Sequence, residues 1–531
     1  MSTAIRIDWD KVNHPEPVLT RFSSRRSVVY SAKGIVAASQ PLAVECGLEI
    51  LRKGGNAGIT SAALNVTEPS CCGIGGDAFC LFYDAKTKTV KALNGSGHSP
   101  QKLTLEYARE HGLTGSSIPL TDLNSVTVPG AAAAWVDTVE RFGSGNVSVA
   151  EVFEPAIRLA EEGVPVSEIN SLSWQKSEHL IKNASPNGDE MLVDGKAPLP
   201  GQIIKLPNLA QTFREVATKG KDGFYKGRVA EAIVELIQSK GGHQTTFVEP
   251  IKYTYAGEVT LYECPPNGQG LTALIALGIL ESLQEQGIIK PLLEMEHNSP
   301  EYLHVLIEAL RFVPYTQWYV ADPDMEHVPV EKLLSKEYLA SRAKLIDPLK
   351  TNPNVVHVYF TVADQWGNAC SYIQSNYAAI PKGCGFTLQN RGSGFVLSEN
   401  HPNALKGGKR PYHTIIPAMA TRGDELFLSY GVMGGFMQPQ GHIQVLQGML
   451  RGFTPKPPWT LPGSAYPLVA QITKRAIRAM QGDINSEVYI EEGIPLETAT
   501  GFARGMLGRG QVIQKLPDPS GRFVWAAAPQ A

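Results

Sequence analysis

The chain has 531 residues, of which 43% are hydrophobic and 19% are charged, a composition typical of an ordinary globular protein. Its formal net charge of −3 provides no electrostatic attraction for nucleic acid or anionic lipid. No apolar run approaches the roughly 20 residues that a transmembrane helix needs. These properties argue against nucleic-acid and membrane partners and favour a small molecule as the ligand.

The N-terminal sequence and the cysteines predict a cytoplasmic protein. "MSTAIRIDWDKVNHPEP" has no basic segment followed by an apolar one, so we expect no secretory signal. The seven cysteines are odd in number, lie mostly in apolar segments and show no metal-ligand spacing. We therefore expect free, buried thiols in a reducing compartment.

The first elements are a helix followed by a β-hairpin. In "PLAVECGLEILRKGGNA", Leu42, Cys46 and Ile50 recur near the helical period, and Gly54-Gly55 ends the pattern. "EPSCCGIGGDAFCLFYDAKTKTVKALNGSG" then predicts a glycine turn that leads into two strands, "DAFCLFYD" and "KTVKALN".

Further helices follow in the first two thirds of the chain. "SVAEVFEPAIRLAEEG" begins with a capping box from Ser148 to Glu151 and ends at Gly163, and Pro155 inside it allows a kink or a late start. Two more helices are predicted in "GLTALIALGILESLQEQ" and "PEYLHVLIEALRFV". The segments "LLEMEHNSPEY" and "DPLKTNPN" are typical of linkers.

The last third is rich in short strands. Glycines divide "GNACSYIQSN", "TIIPAMATRG" and "DELFLSYGVMGG", and a helix is predicted at "QITKRAIRAM". Helices early, strands bunched later and hairpins in both parts predict an α+β fold in which helices cover antiparallel sheet.

Four blocks, taken in order, resemble the γ-glutamyltranspeptidase family of N-terminal-nucleophile hydrolases. They are "KGIVAASQPLAVECGLEILRKGGNA", "EPSCCGIGGDAF", "VFEPAIRLAEEGVPVS" and the run "FTVADQWGN…KRPYHTIIPA…GVMGGFMQPQGH". The resemblance implies an αββα sandwich, in which two antiparallel sheets lie between helical layers. It also implies an N-terminal extension over 1–30 and one domain over 31–531, with a large-subunit-like part (31–350) and a small-subunit-like part (357–531).

The details are more similar to the amidohydrolase and acylase-like branch of the family. Glutathione-type members place an arginine in a Phe-Arg-Glu stretch that binds the substrate's α-carboxylate. Here the matching stretch is "NGSGHSP", with Ser96 at the arginine register and His98 as the nearest polar candidate. A γ-glutamyl substrate is therefore not indicated by this stretch.

The residue at the family's reactive position differs. Family members cleave their own chain at an internal threonine, seven residues before the Asp of an Asp-x-x-Gly-Asn turn, and then use that threonine as nucleophile. Counting back from Asp364 gives His357, whose imidazole has no hydroxyl for this reaction. Thr361 is displaced by roughly 13 Å along the strand, and Thr351 lies beyond an Asn-Pro-Asn break, so neither is expected to substitute. We expect an uncleaved chain.

The surroundings of that position are similar to those in the family. "GVMGGF" offers Gly434 and Gly435 as an oxyanion hole, although an isolated Gly-Gly pair is more often a tight turn. The resemblance places further candidate substrate-binding residues at Ser375, Asn376, His413 and Thr414. His442 is expected to cap the start of a helix.

Other chemistries find little support. "GIGGDA" does not match a nucleotide-binding fingerprint and opens onto a strand. His297 and His304 lack acidic partners at ligand spacing, so we predict neither metal nor cofactor.

Three hypotheses follow. The first is a repurposed enzyme in which His357 is general acid/base on a small amide- or carbonyl-containing metabolite, with Gly434 and Gly435 stabilising an oxyanion or enolate. The second is a non-catalytic binding or scaffold member. The third retains amide hydrolysis through an activated water. A homo-oligomer is compatible with all three, and each predicts a single intact chain of 57.5 kDa.

Overall fold

The structure, a computed structural model, describes ten stretches of the chain: 28–56, 61–237, 245–297, 299–311, 320–343, 358–377, 379–435, 438–452, 510–516 and 524–527. Two sheets dominate these residues, and every strand pair in them is antiparallel.

Sheet I has six strands in the order β2-β10-β11-β3-β4-β7. Their bounds are β2 Gly34–Ala37, β3 Asp77–Asp84, β4 Thr89–Gly95, β7 Thr246–Val248, β10 Val358–Asp364 and β11 Ala369–Ser375. Strands β3 and β11 are buried along nearly their whole length, as expected for central strands with neighbours on both faces.

Sheet II has seven strands in the order β1-β15-β14-β13-β12-β9-β8. Their bounds are β1 Val29–Ser31, β8 Ile251–Tyr255, β9 Val259–Glu263, β12 Ala418–Arg422, β13 Glu425–Val432, β14 Gly510–Leu516 and β15 Val524–Ala527. A separate two-stranded ribbon pairs β5 (Val164–Pro165) with β6 (Ile203–Ile204).

The described helices form two groups, one on each side of the paired sheets. The first group is α1 Pro41–Arg52, α2 Ser61–Thr67, α3 Leu105–Glu110, α4 Ala131–Phe142, α5 Val149–Glu162, α6 Glu168–Ala184, α7 Pro207–Lys219, α8 Asp222–Tyr225 and α9 Arg228–Ile237. The second is α10 Gly270–Glu285, α11 Pro300–Arg311, α12 Val330–Leu333, α13 Lys336–Ala343 and α14 Gln438–Leu450. Short 3₁₀ turns occupy Leu123–Ser125, Gly188–Met191, Leu292–Glu294 and Arg391–Gly394.

Alternation along the strands explains how the layers stack. In β3, Phe79 and Leu81 point into a cluster shared with Met419 and Ile513 of sheet II, whereas Phe82 packs among the residues of the first helical group. On the far side of sheet II, residues of β9, β12 and β13 pack against α10 and α14. The result is the predicted αββα sandwich, whose central apolar layer holds the two sheets face to face.

The predicted elements are largely confirmed. Helix α1, the β3–β4 hairpin, α5, α10 and α11 lie where the sequence predicts them. Helix α5 begins at Val149, directly after the capping box at Ser148, so Pro155 neither delays its start nor ends it. The strand predicted in "TIIPAMATRG" begins only at Ala418, because the residues before it form hydrogen bonds with a loop instead of with a strand.

Two predictions fall on other parts of the chain. The C-terminal helix predicted in "QITKRAIRAM" and the linker "DPLKTNPN" lie outside the described residues, as does the boundary between the large- and small-subunit-like parts. In the stretches that are described, no helix combines the length and apolarity needed to cross a bilayer.

Candidate active site

The predicted polar residues lie at one end of sheet I, where β3 begins and β11 ends. Asp77, the first residue of β3, is paired in register with Ser375, the last residue of β11. The residue before Asp77 must be glycine, because a Cβ on Gly76 would overlap the carbonyl oxygen of Ser375. The Gly76 carbonyl accepts hydrogen bonds from the N–H groups of Gly130 and Ala131 at 3.0 and 2.9 Å. The predicted glycine turn therefore joins two strands and the start of α4.

A buried carboxyl–imidazole pair is the centre of this end of the sheet. Asp77 Oδ2 and His413 Nε2 share a hydrogen bond of 2.9 Å, and both side chains are fully buried. Burial raises the pKa of Asp77 to about 7, although the N–H of Gly97 and the guanidinium of Arg391 both act to lower it. Burial also holds the pKa of His413 well below its ordinary value, and Arg391 acts in the same direction. The imidazole is therefore neutral at pH 7, while Asp77 titrates close to neutrality.

The side chain of Gln269 connects the two glycines to the His413 segment. Its Nε2 donates to the carbonyl of Thr414 at 2.6 Å and to the carbonyl of Gly435 at 2.7 Å. Its Oε1 accepts from the Tyr412 hydroxyl at 2.9 Å. Gly434 and Gly435 have φ values of 145° and 58°, in the region that favours glycine. One buried amide thus fixes the Gly-Gly turn next to Thr414.

Asn267 connects the end of β4 to the segment before His413. Its Nδ2 donates to Ser96 Oγ at 2.9 Å and to the carbonyl of Pro411 at 2.6 Å, while its Oδ1 accepts from Asn94 at 3.1 Å. Its backbone carbonyl accepts from the N–H of His413 at 3.0 Å. The Ser96 hydroxyl is therefore fixed in a neutral amide network.

Ser375 and Asn376 are held by backbone contacts at the end of β11. The Ser375 carbonyl accepts from Gln389 Nε2 at 3.1 Å. The Asn376 side chain donates to the carbonyl of Pro69 at 3.2 Å. Both residues are buried, so these contacts hold them in place.

His98 lies near the Asp77–His413 pair and near a group of charged residues. Burial and the nearby Arg410 lower its pKa, while the carboxylates of Asp322, Asp324 and Asp77 oppose this shift. Arg410 is itself engaged, with 2.7 Å between its guanidinium and Asp324. His98 is therefore close enough to Asp77 for an electrostatic interaction.

Contacts between the sheets set the position of the Gly-Gly turn relative to β10. Gly431 of β13 leaves room for the ring of Tyr359, because a Cβ there would overlap that ring. The hydroxyls of Thr361 and Ser429 are 2.6 Å apart across the two sheets. The Thr361 side chain thus contributes to packing β10 against β13.

The structure brings most of the predicted residues together. Hydrogen bonds, strand register or electrostatic proximity connect Ser375, His413, Thr414, Gly435 and His98 to Asp77 or Gln269, while Asn376 and Gly434 are their neighbours along the chain. His357 lies outside the described residues, one position before Val358, the first residue of β10. The catalytic and substrate-binding roles of all these residues stay predictions.

Three of the connecting residues were not predicted from the sequence. Asp77, Asn267 and Gln269 stand in a strand start and a glycine-rich loop, where a structural role is the ordinary expectation. A charged residue directly before the apolar run "AFCLFY" was the available signal for Asp77. No comparable pattern marks Asn267 or Gln269, because their partners are distant in sequence.

His442 does not cap the start of a helix, so that prediction is wrong. Helix α14 begins at Gln438, and His442 lies one turn inside it. Its Nδ1 is 2.7 Å from the carboxylate of Glu263, and both side chains are fully buried. His442 therefore joins α14 to the end of β9 instead of capping the helix.

Two antiparallel sheets between helical layers, with a polar cluster and a Gly-Gly turn at one end, define the class of N-terminal-nucleophile hydrolase folds. The chain belongs to the gamma-glutamyltranspeptidase family, whose model matches residues 43–514. This confirms the resemblance in the four sequence blocks.

Individual relatives refine the position within the family. The chain is 36% identical to a glutathione hydrolase-like YwrD proenzyme of Bacillus subtilis, over 80% of this chain and 82% of the relative. It is 30% identical to an oxamate amidohydrolase proenzyme of Klebsiella pneumoniae, with 81% and 85% covered.

Among solved structures, a cephalosporin acylase from Bacillus halodurans has a TM-score of 0.81 and 33% identity, with 97% of each chain covered. The gamma-glutamyltranspeptidase of Helicobacter pylori, at 22% identity and a TM-score of 0.51, covers 64% of this chain and 95% of its own and supports the fold alone. The close relatives are thus acylase- and amidohydrolase-like members.

Proposed function

We propose that this chain converts a small amide- or carbonyl-containing metabolite at the polar end of sheet I, without cleaving itself. The observation that carries the proposal is the network through which Asp77 and Gln269 join Ser375, Thr414 and Gly435. Buried polar groups are costly unless they are hydrogen-bonded, so a network of this extent supports a working site over a chain that has merely lost its activity.

His357 is the proposed acid/base. An imidazole with an ordinary pKa near neutrality accepts a proton from the attacking group and returns it to the leaving atom. The N–H groups of the Gly434–Gly435 turn would stabilise the negative charge that develops on the substrate's carbonyl oxygen. In this proposal Ser375, Asn376 and Thr414 orient the substrate, and no covalent ester with the protein forms.

The names of the relatives suggest the substrate class. A glutathione hydrolase-like protein, an oxamate amidohydrolase and a cephalosporin acylase all have names that refer to amide-containing compounds. Ser96 at the arginine register favours substrates other than α-amino-acid γ-amides, since a hydroxyl cannot form a bidentate pair with a carboxylate. We therefore place acyl amides and oxamate-like amides before γ-glutamyl compounds.

Intact-mass measurement tests the first part of the proposal. Two of the relatives are named as proenzymes, whereas we expect this protein to run as one chain of 57.5 kDa. A mature fragment that begins with a free threonine would contradict the proposal.

Turnover tests the second part. Purified protein should be incubated with oxamate, glutaryl amides, N-acyl amino acids and γ-glutamyl amides, with product detected by mass spectrometry. His357→Ala should reduce turnover of the accepted substrate about 10²- to 10⁴-fold, the ordinary contribution of a general acid/base. His111→Ala, a change at an exposed histidine, is the matched control and should leave turnover unchanged.

Binding without conversion is the alternative function. Loss of the nucleophile and of the carboxylate-binding arginine favours it. Saturable affinity for a metabolite with no product, in the wild type and in His357→Ala alike, would support a binding or scaffold role. Amide hydrolysis through an activated water is a further alternative. A released acid that carries one solvent ¹⁸O, with no acylated protein detected by intact mass during turnover, would support it.

A further inference from the structure

A concavity lies at the end of sheet I opposite to the candidate active site. Asp77 and Asp84 are the two ends of β3, so at about 3.3 Å per residue the concavity is roughly 23 Å from the candidate active site. Its volume of about 390 Å³ is in the range of small-ligand pockets. We call it the turn-end pocket. The lining residues that determine its chemistry are Phe82, Lys86, Lys91, Arg141, Phe142 and Trp366.

The walls of the turn-end pocket are aromatic. Phe82 of β3 and Phe142 at the end of α4 are buried and stacked, with ring centroids 4.9 Å apart. Trp366, in the turn between β10 and β11, keeps 42% of its surface exposed. An indole held at the rim of a concavity offers a face on which a planar ring can stack.

The rim is cationic. Lys91 is directly opposite Phe82 in the β3–β4 pair and is partly buried, while Lys86 and Arg141 are exposed. Across the described stretches, no carboxylate forms an ion pair with any of these three side chains, and Arg141 lies over the ring of Phe247 at 5.8 Å.

The neighbouring lysine behaves differently. Lys88, in the same hairpin, is 2.7 Å from Glu425 and 3.3 Å from Asp424. Lys86 and Lys91 therefore differ from an ordinary paired surface lysine that is only two or three residues away in the sequence.

The other polar groups of the pocket are committed to the fold. Asp84 Oδ1 accepts from the N–H groups of Lys86 and Thr87 at 2.9 and 3.3 Å. Asn368 accepts from the N–H of Ala85 at 2.9 Å and donates to Asp364 at the same distance. One carboxylate against three cations leaves a net charge of about +2 at the rim.

The geometry points to the turn-end pocket as a binding site for a planar aromatic group that carries an anion, with the ring on Trp366 and the anion between Lys86, Lys91 and Arg141. A phosphate or a carboxylate would satisfy the same cations. The turn-end pocket shares no residue with the candidate active site. A failed test of binding at the pocket would therefore leave the proposed function unaffected, and the reverse also holds.

Three probes separate the ring from the charge: ADP carries both, adenosine carries only the ring and pyrophosphate carries only the anion. Titration of the full chain by calorimetry, with tryptophan fluorescence recorded in parallel, should give saturable 1:1 binding of ADP with a Kd below about 1 mM. Adenosine and pyrophosphate should each bind about tenfold more weakly. Methyl-ester and free-acid forms of an aryl carboxylate then distinguish the two kinds of anion.

Variants locate the site. The double variant Lys91→Gln/Arg141→Gln should weaken ADP binding about tenfold, the effect of removing one partly buried and one exposed charge contact. Lys88→Gln, the matched control in the same hairpin, should stay within about twofold. Trp366→Ala should weaken ADP and leave pyrophosphate unchanged.

Several results would overturn the inference. These are no saturable ADP binding in the millimolar range, equal affinity for ADP and pyrophosphate, or an equal loss in Lys88→Gln and in the double variant. If the double variant unfolds, Lys86→Gln and the salt dependence of ADP binding take its place, and affinity unchanged in both would likewise contradict the site.

Discussion

Two buried aspartates mark the two ends of sheet I, and they are stabilised in opposite ways. At the turn end, Asp364 accepts hydrogen bonds from the N–H groups of Trp366 and Asn368 and from the Asn368 side chain, at 2.9, 3.0 and 2.9 Å. At the site end, Asp77 accepts from Gly97 and pairs with His413, residues 20 and 336 positions away. Burial raises the pKa of both carboxyls.

The difference separates a structural aspartate from a candidate functional one. Asp364 is satisfied by donors within four residues, so its turn can form before the rest of the fold. Asp77 depends on three distant segments, and its pKa of about 7 leaves it poised between protonation states at neutral pH. A buried acid with distant partners is therefore the better indicator of a site.

The largest expected effect is at Asp77. Asp77→Ala leaves both the His413 imidazole and the Gly97 N–H buried without their partner. Since each orphaned buried polar group costs about 1–3 kcal/mol, the free energy of unfolding should fall by about 3–5 kcal/mol in urea denaturation. The change should be non-additive with His413→Ala by about 1 kcal/mol or more, because the two side chains share one hydrogen bond. Asp364→Ala should be additive with His413→Ala, and strong coupling there would contradict the comparison.

The next largest loss of stability is expected for glycine-to-alanine changes at the two ends of sheet I. Gly76→Ala places a methyl group on the Ser375 carbonyl and should destabilise the fold by about 3 kcal/mol, since two paired backbones must move. Gly367→Ala meets the strain of its φ of 93° and should cost about 1–2 kcal/mol. Thermal or urea unfolding of both variants checks the order, and the reverse order would show that the site end is the more adaptable one.

The pH dependence follows from the raised pKa of Asp77. Because the folded carboxyl holds its proton up to about pH 7 and the unfolded one releases it near pH 4, its contribution to stability falls as pH rises between these values. Relative to Asp77→Asn, the wild type should lose about 2 kcal/mol between pH 5 and pH 7.

His413 has the opposite shift, and its folded pKa is lowered, so it disfavours folding below its ordinary pKa. Since both chains contain His413, their difference chiefly reports Asp77. Parallel stability curves for wild type and Asp77→Asn would mean that Asp77 has no raised pKa.

The smallest expected effect is at the turn end. Asn368→Ala removes the hydrogen bonds to Ala85 and Asp364 at a partly exposed position where water can replace them, so we expect a loss of about 1 kcal/mol. Denaturant midpoints measured beside Asp77→Ala check this value. A loss as large as that of Asp77→Ala would remove the distinction between the two ends.

Much of the fold could be predicted because its signals are local. The capping box of Ser148 and Glu151, the Gly54-Gly55 stop and the alternation of "DAFCLFYD" each act within one element. The start of β12 was placed too early because the hydrogen bonds of the preceding residues go to Asn267 and Gln269, which are distant in sequence.

The candidate site was predictable only in part. The family blocks indicated Ser375, His413, Thr414 and the Gly-Gly turn, because each stands in a short recognisable motif. They did not indicate Gln269, whose side chain reaches Gly435 across 166 positions.

The sequence by itself determined most elements of this protein and the family to which it belongs, since these depend on residue identity and short-range order. Only the tertiary structure decided that Asp77 and His413 form a buried pair and that Gln269 holds the Gly-Gly turn. The physical reason is that a carboxyl or an amide acquires its pKa and its partners from burial and long-range contact, which arise when the two sheets pack face to face.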